Sequence, residues 1–329
     1  MDQKENGLEK FFSKKKISTN TNILIRYSTL MALIAVAIIF SITIPSFLTI
    51  RNLENLLVQM AVLGIVAVGL TFVTIPGEMD VSLGSVVTLA GVFAVSLMGK
   101  GFGLIPSLAA AMIVGIISGL INGLISIYGH ISSLIVTLTI GAILDGVSLL
   151  YTGGYRLYKG ILPSYLFIGT GKLFGIPMPV VIMFVVVFIG FILAHKTVYG
   201  RRLFSVGGNF NAARLVGINP KLTTLLAFVF CSLCSAMAGI IATARVGTAE
   251  PFVRFGYVMD AFAIVFIGTT TSAEGEPSIP GTLLGIIILG VLSNGMNLIG
   301  VPFSAQNILK GVIILFTVLI SSIIRNQKK

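Results

Sequence analysis

A chain of 329 residues with a net charge of +11 would be a candidate nucleic-acid binder if it were soluble, yet 56% of its residues are apolar and 10% are charged. That balance, with 37 glycines, is the composition of a polytopic membrane protein. The basic residues gather at the termini and between apolar runs, where the positive-inside rule accounts for them without a nucleic-acid partner.

Residues 1–22 contain Lys4, Lys10 and Lys14 to Lys16 and lack a hydrophobic period, which predicts a basic cytoplasmic tail. The apolar run that follows is too long for a cleaved signal and reads as a retained span. About ten runs have the length of a spanning helix: 24–45, 53–75, 82–99, 104–127, 131–151, 178–196, 221–243, 256–272, 279–299 and 304–324. An even count puts both termini on one side, and Arg325, Lys328 and Lys329 match the basic N-terminus. The expectation is an all-α polytopic membrane protein: one transmembrane domain over 23–325, a cytoplasmic tail at 326–329, and both termini inside. The same count places 197–220 inside, beside His195, Lys196, Arg201, Arg202, Arg214 and Lys221.

Between the second and third runs lies Pro76-Gly-Glu-Met-Asp-Val-Ser-Leu-Gly84. Pro76 and Gly77 end one helix; Asp80 and Ser82 are suited to capping the next, where a carboxylate also meets the positive end of the dipole. Ionisable groups so near a bilayer face water or partners, which makes Glu78 and Asp80 candidates for the inner mouth of a pathway. Asn122, Asp145, Asp260, Asn294 and Asn297 lie in or near the ends of apolar runs. Each alone reads as an interhelical tie; together they offer sparse hydrogen-bonding groups along a path for a polyhydroxylated solute. Gly115, Gly119, Asn122 and Gly123 in the fourth run are echoed by Gly285, Gly290, Asn294 and Gly295 in the ninth, as an inverted internal repeat requires.

The segment 198–220 is polar and short. Gly207-Gly208 break the backbone, Asn209 caps a helix, and Asn219 before Pro220 ends it, predicting about ten helical residues, roughly 15 Å long, at the membrane surface. Ala213 and Gly217 then share a face that a second surface can approach. Two stretches fall on the outer side, 152–177 and 244–255, and the latter carries Arg245, Glu250 and Arg254. Cys231 and Cys234 sit inside an apolar run and read as packing. Neither an H-E-x-x-H motif nor a phosphate-binding loop is present, and His130 and His195 lack metal-ligand spacing, so enzyme and autonomous ATPase readings fail.

Gly200, Ser205-Val-Gly-Gly-Asn209, Ala212-Ala213, Leu215 and Gly217-Ile218 resemble the cytoplasmic coupling loop of ABC importer permeases of the ribose type. Asp80-Val-Ser-Leu-Gly84, Ile135-Val-Thr-Leu-Thr139, Ile168-Gly-x-Gly with Gly175-Ile-Pro177, Tyr257-x-x-Asp260 and Gly281-Thr-x-x-Gly285 look like family positions too, and the likeness runs from about residue 45 to the C-terminus. Two stretches depart from the family pattern: Ser132-Ser133, where Pro-Phe is usual, and the acidic turn 269–277, where the family turn is glycine-rich. The resemblance implies a multi-pass permease of the bacterial cytoplasmic (inner) membrane for a monosaccharide such as ribose. It implies Gly207, Gly208, Asn209, Ala212, Ala213, Leu215 and Gly217 as the ATPase-coupling residues, and no cofactor or metal on this chain. Implied partners are a second permease subunit, identical or not, a cytoplasmic ATPase that hydrolyses the ATP, an extracytoplasmic sugar-binding protein and membrane lipids. Arg245, Glu250 and Arg254 are candidates for docking that binding protein, and Glu274 and Glu276 for facing the ATPase. An ion-coupled transporter or facilitator acting alone, or a permease for nucleosides or a furanone signal, are the alternatives.

Overall fold

The computed structural model describes Met31 and residues 34–252, 254–270 and 275–326, and the side chains of these except 254–255 and 318–326. The tail expected at 1–22, residues 271–274 with Glu274, and Lys328 and Lys329 lie outside the described residues.

Helices account for about four-fifths of the described chain. They are α1 (Ile34–Thr43), α2 (Ile50–Thr74), α3 (Leu83–Gly99), α4 (Leu104–Tyr128), α5 (Ser133–Thr152) and α6 (Pro163–Thr170). After a hairpin of β1 (Lys172–Leu173) and β2 (Ile176–Pro177) come α7 (Met178–His195), α8 (Val198–Gly208), α9 (Phe210–Leu215), α10 (Pro220–Val246), α11 (Arg254–Thr270), α12 (Ile279–Leu298) and α13 (Phe303–Asn326). Local chemistry sets their starts. The side chains of Thr49, Thr197, Asn219 and Ser278 each accept from a backbone N–H in the next turn, and Pro163 and Pro220 open α6 and α10, where a missing N–H costs nothing.

Six helices, α2, α4, α5, α7, α10 and α12, are long and apolar enough to cross a membrane. Four of the expected spans correspond to shorter apolar helices: α1, α3, and the described apolar parts of α11 and α13. Two elements were not anticipated within 152–177, the helix α6 and the hairpin, because each is too short to carry a period.

α2 is the hub: 89% of its most apolar window is buried, against 28% for α4. Its Ile65, Val66 and Phe72 form one core with Phe228 of α10, Val187 of α7, Ile264 of α11 and Leu289 of α12. A second core joins Val86 and Ala90 of α3, Ala111 of α4, Tyr165 of α6, and Ala236 and Ile240 of α10. Lipid tails are as apolar as leucine, so close backbone approach rather than apolar burial holds such helices together. Gly115 and Gly119 of α4 meet the α10 backbone, where a Cβ would come within 2.7 Å of Ser232 O and 2.6 Å of Val229 Cα. Gly285 of α12 meets Ile264 of α11, and Gly290 meets Met60 of α2.

The packing has a reciprocal pattern. α2 and α10 lie together; α4 packs on α10 while α12 packs on α2; α3 contacts α4 and α5 while α11 contacts α12 and α13. Exchanging α2–α5 with α10–α13 preserves every one of these contacts.

Candidate functional site

Three places hold polar groups that a fully apolar fold would exclude. The first is the connection 75–82. α2 ends at Thr74, Gly77 takes a φ of +90°, and an extended segment then turns back along α5. Met79 N donates to Ser133 Oγ at 3.1 Å and Val81 N donates to Thr137 Oγ1 at 3.0 Å. Ser82 Cα lies against Gly141, eight residues into α5, and the Ser82 hydroxyl accepts from Asn122 Nδ2 at 2.7 Å. α3 therefore begins about 9–12 Å inside the ends of α4 and α5, counting 1.5 Å per helical residue. Non-helical backbone at such depth is tolerated only where protein groups satisfy it, which Ser133 and Thr137 do. Asp80 is fully buried; its Oδ1 accepts from Ser82 N at 2.9 Å and from Ser82 Oγ at 2.6 Å. Asp80 Oδ2 and Asn122 Oδ1 are buried without a hydrogen-bond partner, and the Cys231 thiol lies beside the Asp80 carboxyl.

The second place is a cleft toward the end that carries 153–177 and 247–252. It is a cavity of about 370 Å³ lined by Gln59, Leu63, Arg245, Tyr257, Asp260 and Phe303. A smaller pocket of about 170 Å³, reaching Thr88, Thr243 and Glu250, adjoins it through shared Ala242, Val246 and Tyr257. Asp260 forms a buried ion pair with Lys310 Nζ of α13 at 2.6 Å. Around the rim, Arg156 pairs with Glu250 at 2.9 Å, Lys172 with Glu54 at 2.5 Å, and Leu157 bridges to Ala249 through two backbone bonds.

The third place is 197–219, at the opposite end. Asn209 caps α9, accepting from Ala212 N at 2.9 Å. Its neighbours differ from the expectation. Gly207 and Gly208 complete α8 instead of breaking the chain, and α9 has six residues because Gly217, with a φ of +82°, closes it by a left-handed turn. Ala213 and Gly217 thus share no helical face; Ala213 is buried, and the exposed tip is Leu215 and Val216. Gly207 is pressed against the Ile75 carbonyl, so α8 sits directly on the start of the re-entrant segment. Tyr199 adds a second tie, donating to Thr223 O at 3.2 Å, and burial pushes its phenol up from the ordinary tyrosine range.

The family model for the permease component of branched-chain amino acid transport systems matches residues 52–318. The chain is 38% identical over 302 residues to the ribose import permease protein RbsC of Escherichia coli K12, covering 91% of this chain and 94% of that one. It belongs to the ribose-type family of ABC importer permeases. RbsC of Bacillus subtilis is 36% identical over 292 residues, with 88% and 90% covered. The xylose transport system permease protein XylH of Haemophilus influenzae is 32% identical over 365 residues, with 92% and 97% covered. No solved structure matches the chain. As a member of this family with several apolar spans, the permease is a multi-pass inner-membrane protein.

Within the permease, the residues singled out in the sequence fall into separate groups. Asp80 and Asn122 meet at the re-entrant segment, while Glu78 stays half-buried at its start. Asp145 is buried on α5, one turn beyond Gly141. Asn294 pairs both ways with Asn52 of α2, at 2.9 and 3.0 Å, and Asn297 accepts from Gln306 Nε2 at 2.8 Å, so both tie helix ends together and neither lines the cleft. Arg245 points into the cleft and Glu250 is paired, whereas the Arg254 side chain lies outside the described residues. Gln59 and Tyr257 of the cleft, and Lys310 behind it, are further polar groups of the site, and of these Lys310 has a signal in the sequence as a lysine inside an apolar run.

Proposed function

We propose that this chain is the membrane-spanning subunit of an ATP-driven, binding-protein-dependent importer of a pentose such as ribose. The observation that carries the reading is the 38% identity over nearly the whole length of a ribose import permease. The chain is a transport subunit and not an enzyme. Paired with a second permease subunit and two cytoplasmic ATPases, it receives sugar from an extracytoplasmic binding protein. Both termini and 197–219 face the cytoplasm, and the 153–177 and 247–253 connections face outward. Ten spans in two inverted halves, α2–α5 and α10–α13 with α1 and α7 outside the repeat, fit the reciprocal packing. In this reading α8 and α9 receive the ATPase movement. The Gly207–Ile75 contact passes it to the re-entrant segment, and the cleft lies on the substrate path. The acidic Glu276, on the inner turn, faces the ATPase.

The test is uptake in proteoliposomes holding the permease with its cognate ATPase and binding protein, offered ribose, xylose, arabinose and leucine. Pentose accumulation that requires ATP and both partners is expected. Solute movement by the chain alone under an ion gradient would replace this reading with an ion-coupled one, and uptake of leucine alone would reassign the substrate class.

A further inference from the structure

We infer that the cleft between α2, α10, α11 and α13 is a weak binding site for a single pentose, with Gln59, Arg245 and Tyr257 as its hydroxyl-binding groups. The inference rests on the sugar-importer reading and specifies where in the chain the sugar is held.

Gln59 stands nine residues into α2, about one turn past Glu54 and Asn55 and immediately ahead of the apolar stretch from Met60 to Leu70. Its amide makes no hydrogen bond among the described residues, and neither does the Tyr257 hydroxyl or the Arg245 guanidinium. Glu250, the acid nearest to Arg245 in the chain, is already held by Arg156 at 2.9 Å. Arg245 is exposed and Gln59 and Tyr257 are half-buried, so their unpaired polar groups are left to water or a ligand in the cleft. All three line one cavity of about 370 Å³.

Their chemistry fits a polyol. An amide supplies donor and acceptor together, a phenol does the same, and a guanidinium forks its donors toward two adjacent oxygens. Val62, Leu63, Ala242 and Val246 supply an apolar wall for the C–H faces of a sugar ring. The cleft suits an amino acid less well. Its carboxylate, Asp260, is held at 2.6 Å by Lys310, which leaves no uncompensated negative charge for an ammonium group. Because the three binding groups stand on α2, α10 and α11, a shift of α11 against α2 separates them and releases the sugar. Weak binding broken by helix movement is what passage requires when a separate protein performs selection.

The experiment uses the complete importer in proteoliposomes, with Gln59→Ala and Tyr257→Phe each compared with wild type. Two quantities are read: pentose delivered, and ATP hydrolysis stimulated by the loaded binding protein. The expected result is a drop of about tenfold in pentose delivered per ATP, the loss of one hydroxyl-binding group, with stimulated hydrolysis retained. The preference among ribose, xylose and arabinose should shift in the same variants. Where Gln59→Ala lowers the yield of folded protein, Gln59→Met keeps the chain length and gives the same comparison. Wild-type delivery per ATP and unchanged preference in both variants overturn the site while leaving the importer reading intact. Equal falls in delivery and hydrolysis assign Gln59 and Tyr257 to structure alone and also overturn it. A wild-type importer that carries no pentose defeats the functional reading itself, and the pentose site with it.

Discussion

Breaking the Asp260–Lys310 pair from one side should destabilise the permease far more than removing both charges. Both side chains are nearly sealed, Lys310 at 6% and Asp260 at 12% exposure, so the pair is outside the regime of surface ion pairs worth about 0–1 kcal/mol. Lys310→Met leaves a carboxylate among apolar helices, and Asp260→Leu leaves an ammonium; each should cost about 3–5 kcal/mol. The double variant removes the desolvation burden together with the attraction and should lie within about 1 kcal/mol of wild type, or above it. The coupling between the two sites is then roughly 5 kcal/mol or more, well beyond what independent positions show. Unfolding can be followed in mixed micelles titrated with a denaturing detergent, using a thiol-reactive dye. Cys231 and Cys234 are the only cysteines in the chain, and both are free and buried, so dye reaction reports loss of the α2–α10 core. Additive single effects, or singles that cost less than about 1 kcal/mol, would refute the reasoning, because a sealed charge cannot be stranded so cheaply.

Two further outcomes are expected. Thr137→Val removes the hydroxyl that accepts from Val81 N and should cost about 1–3 kcal/mol, whereas Thr139→Val, whose exposed hydroxyl bonds only within its own helix, should cost well under about 1 kcal/mol; the same dye assay decides, and equal costs would remove the support assigned to α5. Gly207→Ala drives a Cβ into the Ile75 carbonyl and should abolish both uptake and stimulated ATP hydrolysis, while Gly311→Ala on α13 enters open space and should retain both; equal activity would mean the 207–75 contact carries no movement.

The long apolar helices were legible in the sequence to within about four residues at their ends, apart from the partly described first one, because a run of apolar residues bounded by proline, glycine or a capping side chain has few alternatives. The path of 75–82 was not legible. Pro76 and Gly77 announce a turn, but nothing local says that the following residues go back along α5, since the groups that hold them are Ser133 and Thr137. Those partners lie at and beside one of the two departures from the family pattern, so Ser133 has a visible job in this chain. The error at Gly217 had a different source. A helical wheel assumes that the helix continues, and one residue at positive φ ended it two residues earlier. The cleft was not legible because Gln59, Arg245 and Tyr257 belong to three helices far apart in the chain: Arg245 and Asp260 stood out singly, and nothing local joins them to Gln59.

The re-entrant segment also constrains how the chain is assembled. Its two anchoring acceptors lie 54 and 56 residues downstream of the N–H groups they satisfy. At about 5–20 residues per second the ribosome needs roughly 3–11 s to deliver them. During that interval the Met79 and Val81 N–H groups lack these partners, so the segment stays at the lipid–water boundary, with α3 held shallow. Biogenesis of this chain therefore cannot be a simple sequential threading of finished spans: its third helix settles only after its fifth has been made.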